Sequence, residues 1–173
     1  MGAPSILTSL HGRAFGLGAK GELISNNTAG GLVNAQAVQR SVVRVTIANA
    51  LVLALNAVPF EVVPAPGLGK TLVCDKMVAS KVAGVAFTAG AGEDLAIIPT
   101  GGAAFCAIDS AGFLDSVADE IRFAERVPVN PEVLDLTALQ NLALEATILV
   151  GEVTGGVDLI VEVHYTLYDD LLS

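Results

Sequence analysis

The 173-residue chain sets 18 Asp and Glu against 9 Lys and Arg, a formal charge of −9, and is 53% hydrophobic but only 16% charged. So much apolar surface excludes a disordered chain, and the shortage of cations excludes a nucleic-acid binder, whose affinity comes from clustered Lys and Arg. The length suits one domain with an arm, and the apolar excess points to a subunit that buries part of its face against neighbours.

Residues 1–40 are punctuated by Gly2, Gly12, Gly16, Gly18, Gly21, Gly30 and Gly31, with turn chemistry at Asn26-Asn27-Thr28 and no sustained period of 2 or 3.6. They read as an extended glycine-rich N-terminal arm of short paired pieces, with a disordered tail as the alternative. Met1–Leu10 has no basic n-region, so no export signal is expected. Ile47–Val63, the most apolar stretch, is interrupted by Asn49, Asn56, Pro59 and Glu61. It falls short of the ~20 apolar residues of a membrane helix. A soluble protein with no membrane partner is expected.

Residues 41–173 carry β patterns. In Val42–Ile47, Val43, Val45 and Ile47 alternate with Val42, Arg44 and Thr46, the period of a strand. Ala48–Leu55, rich in Ala and Leu, predicts one or two helical turns. Val58–Val63 returns to strand, with Val58, Phe60 and Val62 on one face and Pro59 confined to an edge or a strand's first residues. Thr71–Lys81 is a further strand, with Leu72, Cys74 and Val78 sharing a face. Short strands are expected at Val82–Thr88, Leu95–Ile98 and Ala103–Ile108, separated by turns at Gly90-Ala91-Gly92 and Thr100-Gly101-Gly102.

Ser110–Arg126 reads either way: Asp115, Asp119 and Glu120 could start a helix, while Ile121-Arg122-Phe123 suits a strand. Leu142–Val150 and Val157–Leu167 flank Glu152–Gly156, and in the second run Leu159, Val161, Val163, Tyr165 and Leu167 form one face. Two alternating runs around Gly155-Gly156 predict a long antiparallel hairpin. Many short strands with regular turns give a mainly β fold, an antiparallel β-sandwich or jelly-roll-like domain with one short helix.

Chemistry-bearing motifs are few. Pro64–Thr71 (PAPGLGKT) imitates a phosphate-binding loop, but the position five before Gly69 is Pro64 rather than Gly. Pro64 and Pro66 each lack an N–H to offer a phosphate, and a strand follows where a helix N-terminus is needed. The segment is expected instead to turn the chain between two strands, leaving Lys70 as a surface charge. His11 and His164 have no nucleophile elbow to serve, so no catalytic residue is assigned. His164 shares a strand face with Glu162 and Thr166. The carboxylate pairs Glu93-Asp94, Asp119-Glu120 and Asp169-Asp170 match no ligand loop, so neither a metal site nor a cofactor site is assigned. Cys74 and Cys106, each in an apolar stretch, read as buried reduced thiols, with a bridge between them as the alternative.

The order of these pieces carries a resemblance. An arm with Gly12-Arg13-Ala14-Phe15-Gly16 and Gly21-Glu22-Leu23 precedes the leucine-rich Ala50–Ala57, then Val58–Lys70 with its Pro-Ala-Pro-Gly-Leu-Gly-Lys, then the terminal alternating runs. This resembles the capsid decoration (cement, or head-stabilising) proteins of tailed bacteriophages, which have a β-sandwich core. The likeness is strongest over Ala50–Val78, loose in the arm and terminal runs, and absent from residues 82–140. The resemblance implies a structural virion protein, made in the host cytoplasm and located on the capsid surface. Its partners would be the major capsid protein and other copies of itself, as a trimer, and it would bridge capsid subunits without catalysis. A head-fibre or tail component that binds a host surface is the alternative within phage structure. A nucleotide-binding protein using residues 64–71 is the alternative outside it.

Overall fold

In the computed structural model of the chain, residues 39–126 and 138–168 are described with their side chains. Asp169 and four short strands before residue 39 are described by backbone. Those four, β1 (Ile6–Thr8), β2 (Ala14–Leu17), β3 (Leu23–Asn26) and β4 (Leu32–Asn34), pair consecutively and antiparallel in a sheet of their own. Short paired pieces were the expectation for this part of residues 1–40.

Alternation then dictates β5 (Gln39–Ile47), in which Val43, Val45 and Ile47 turn inward while Val42, Arg44 and Thr46 stay exposed. A single turn of helix, α1 (Asn49–Val52), follows and inserts Val52 into the core, and the turns after it insert Leu55, both fully buried. The Asp158 carboxylate accepts the Asn49 N–H at 2.8 Å and so caps this turn from a distant part of the chain. Pro59 lies just outside β6 (Phe60–Val63), an edge strand, which is where a residue lacking an N–H is tolerated. The remaining strands are β7 (Lys70–Lys81), β8 (Phe87–Thr88), β9 (Leu95–Pro99), β10 (Cys106–Ile108), β11 (Glu120–Glu125), β12 (Leu144–Ile148), β13 (Thr154–Gly155) and β14 (Leu159–Asp169).

Eight of these form two antiparallel four-stranded sheets with orders β11-β7-β14-β5 and β10-β9-β12-β6. In chain order β5, β7, β11 and β14 belong to the first sheet and β6, β9, β10 and β12 to the second. The chain therefore crosses between layers at almost every connection, staying within one only from β9 to β10. This is a jelly-roll-like order for a β-sandwich. The two inner faces meet in one core that includes Ile47, Leu72, Met77, Leu95, Ile97, Leu144, Ile148, Leu159 and Val161, closed at the ends by Phe87, Phe113 and Leu55. β9, flanked on both sides, is buried along its whole length.

Several expectations need correction. The terminal runs do not form a hairpin: β12 pairs with β9 and β6, whereas β14 pairs with β5 and β7. The glycines between them carry the chain from one layer to the other, with β13 pairing with β8 on the way. The inward face of β7 also differs. Tyr165 pairs with Cys74 and His164 with Lys76, so Asp75 is an extra residue, a β-bulge that inverts the alternation beyond it. Met77 and Ala79, rather than Val78, consequently join Leu72 and Cys74 in the core.

A second bulge makes Val62 the extra residue opposite β12, and Val62 and Val63 are both buried; Val58 lies outside the strand, exposed. Within Val82–Thr88 and Ala103–Ile108 only Phe87–Thr88 and Cys106–Ile108 are strand, and Ser110–Arg126 resolves into turns followed by β11.

Gly156 shows how tightly the crossing is packed. Its φ is +87°, and a Cβ built there would lie 2.0 Å from the ring of Phe87, itself 2% exposed. Gly156→Ala is expected to destabilise the protein by about 3 kcal/mol, from overpacking plus a left-handed backbone that Ala disfavours. Urea unfolding monitored by circular dichroism checks this, and an unchanged midpoint would contradict the packing described.

Candidate interaction surface

The Pro64–Gly69 turn carries the chain from β6 in one sheet to β7 in the other. Gly67 (φ +100°) and Gly69 (φ +79°) occupy backbone regions that side-chain-bearing residues avoid. The Gly67 N–H, which a phosphate loop would aim at a ligand, donates instead to Asn141 Oδ1 at 2.9 Å, and Lys70 O accepts the Asn141 N–H at 2.9 Å. Lys70 opens β7 half-buried, not as the surface charge expected, and Thr71 is 4% exposed. The turn is thus a crossover buttressed by Asn141.

The other candidate groups serve local structure. His164 Nε2 lies 2.9 Å from Glu162 Oε1 on the outer face of β14. Thr166, expected on that face, is buried and donates to the carboxylate of the bulge residue Asp75. Asp94 accepts the Ser110 N–H at 3.0 Å, Asp119 accepts that of Ala83 at 2.6 Å, and Glu93 accepts that of Gly90. Glu120 accepts from Arg122 Nε at 2.7 Å, which holds its carboxyl below the usual range. His11, Asp170 and the Asp169 side chain lie outside the described residues. Among the described residues no group of three or more His, Cys, Asp or Glu is placed to hold a metal ion, and no helix is long and apolar enough to cross a membrane.

A cavity of about 510 Å³ opens beside the bulge. Arg40, Lys76 and Arg126 line it together with Asp75 and Glu125, so its charges largely offset.

What stands out is apolar. Ile121 and Phe123 lie two residues apart on edge strand β11, opposite Ser80 and Val78 of β7, and are 68% and 67% exposed. Lys76 Nζ sits 4.8 Å above the Phe123 ring. The connection after β7 adds exposed Val82 and Val85, and the segment before β11 adds exposed Val117. Hydrogen bonds tie these segments together, from Gly84 N–H to Val117 O at 3.1 Å and from Ala83 N–H to the Asp119 carboxylate. Five exposed large apolar side chains thus belong to β11 and to the two segments bonded beside it, with Glu120, Arg122 and Glu125 on the same strand. Exposed apolar side chains beside charged ones recur at protein interfaces. The sequence signal for it was Ile121-Arg122-Phe123, a strand in which the intervening charge separates two large hydrophobes.

No family model matches the chain, and no curated protein matches it. Among solved structures it is similar to a chain of the cyanophage Pam1 capsid asymmetric unit, at 16% identity and a TM-score of 0.45, covering 82% of this chain and 96% of that one. A likeness at that level assigns neither a family nor a function.

A nucleotide ligand is tested directly. ATP with Mg²⁺ is expected to leave the melting temperature unchanged, whereas a ligand at one hundred times its Kd would add about 2.7 kcal/mol of stability. A shift that Lys70→Ala abolishes would overturn this assignment of the 64–71 turn.

Proposed function

We propose that this protein is a structural component of a tailed-phage virion that docks on the outer surface of the capsid. There it stabilises the shell by bridging copies of the major capsid protein, acting as a homo-oligomer and without catalysis. The observation that carries the reading is the uncovered apolar edge at β11. A sandwich whose core is already closed leaves Ile121, Phe123, Val82, Val85 and Val117 in water, and burial against a neighbour would remove that cost. The sequence resemblance over Ala50–Val78 supports the choice of a capsid as the neighbour. The buttressed turn supports it in turn, since PAPGLGKT serves as scaffold, with one of its amides engaged by Asn141. In this reading residues 1–40 supply much of the shell contact, because paired pieces on an extended arm can spread over a large surface.

Co-sedimentation with undecorated heads, after sizing the pure protein in solution, tests the proposal. The full chain is expected to be oligomeric and to pellet with heads. Deleting residues 1–40 is expected to abolish pelleting while the β circular-dichroism spectrum is kept. The double change Ile121→Asp and Phe123→Asp is expected to weaken binding at least tenfold. Its stability should shift by no more than about 1 kcal/mol, since both side chains are exposed. A monomer with no affinity for heads would move the assignment to the host-binding phage components.

A further inference from the structure

Cys74 and Cys106 come from different layers of the sandwich, Cys74 from β7 and Cys106 from β10. Both point into the shared core, at 0% and 3% exposure, and their Sγ atoms lie 3.6 Å apart as free thiols. A disulfide bond measures about 2.05 Å, so closure asks each sulfur for only part of a displacement of about 1.5 Å, within reach of side-chain rotation. No spacing rule singles out this pair, because the residues lie 32 positions apart and meet only across the sheets.

We propose that Cys74 and Cys106 are a single redox centre, which hydrogen peroxide converts into a disulfide joining the two sheets of one chain. The asymmetry of their surroundings sets the order of events. Cys106 opens a three-residue edge strand, the kind of element that opens locally at low cost and admits a small oxidant. Cys74 lies inside a twelve-residue strand paired on both sides. The contact between the two sulfurs and the Arg126 guanidinium favour the Cys106 thiolate, while the same contact and burial raise the Cys74 thiol.

Cys106 Sγ attacks one peroxide oxygen, the O–O bond breaks, and the departing hydroxide takes the thiol proton as water, leaving a sulfenic acid on Cys106. Cys74 Sγ then attacks that sulfur, its proton leaving with the sulfenic oxygen as a second water. Two thiols are oxidised, one peroxide is reduced and two waters form.

This inference stands on the sandwich itself and does not depend on capsid docking. The test uses the full chain, purified under reductant, freed of it and treated with hydrogen peroxide. Before treatment, alkylation in denaturant is expected to label both cysteines. After treatment it should label neither, the intact mass should fall by two hydrogens, and proteolysis should release a peptide pair linked through Cys74 and Cys106. The melting temperature should rise by roughly 10 °C, from closing a loop of this length in the unfolded chain. In Cys106→Ser the same treatment should give neither the linkage nor the rise. Thiols that remain fully alkylatable, oxygens added to either sulfur in place of a link, or a cross-link between two chains would each overturn the proposal.

Discussion

The sandwich depends on β14 lying between β5 and β7. Its backbone is bonded on one side from Leu159 to Leu167 against β5, and on the other from Ile160 to Asp169 against β7. Doubly paired, it presents Leu159, Val161 and Val163 to the opposing layer, all at 0% exposure. β7 in turn carries β11 on its far side, so the position of the apolar edge follows from the same ladder. The bulge at Asp75 belongs to this arrangement too. It lets the Asp75 carboxylate meet Thr166 while returning Met77 to the core, which keeps both halves of a long strand in contact with one hydrophobic interior.

Sheet ends are a hazard for a protein built this way, since an unpaired strand is a template for wrong partners. The two layers end differently. β6 and β10 are four and three residues long, too short to recruit much. β5 carries charge at Arg40 and Arg44. β11 places Glu120, Arg122 and Glu125 among its hydrophobes, so its edge is guarded by charge while its outer face stays apolar. That combination suits a surface meant for one partner of matching shape better than one open to any strand.

How much of this was legible depended on whether the information was local. The period of two announced the strands at Val42–Ile47 and Leu159–Leu167, and their buried faces as far as Val163, because a half-buried strand writes its environment into alternate residues. The supposed hairpin failed for a related reason. Alternation tells which face of a strand is buried but not which layer it joins, and Gly155-Gly156 allow a crossing between layers as readily as a reversal. Val78 was misplaced because a bulge has no signature in a single strand; it exists only in the register with β14. PAPGLGKT was legible as a turn, while its buttress Asn141 lay far away in sequence. The apolar edge was obscured because its members come from either side of a long excursion through β8, β9 and β10.

The pairing of the first and last long strands also constrains how the chain is made. β5 leaves the ribosome long before β14, the partner that completes its ladder. Until then β5 and β7, strands of one sheet that β14 alone bridges, cannot assume their final spacing. Closure of that sheet therefore waits for β14, a non-local step of the slow kind that such topologies impose. A chain truncated before Leu159 would retain most of its sequence and lack the strand that joins β5 to the rest of the layer.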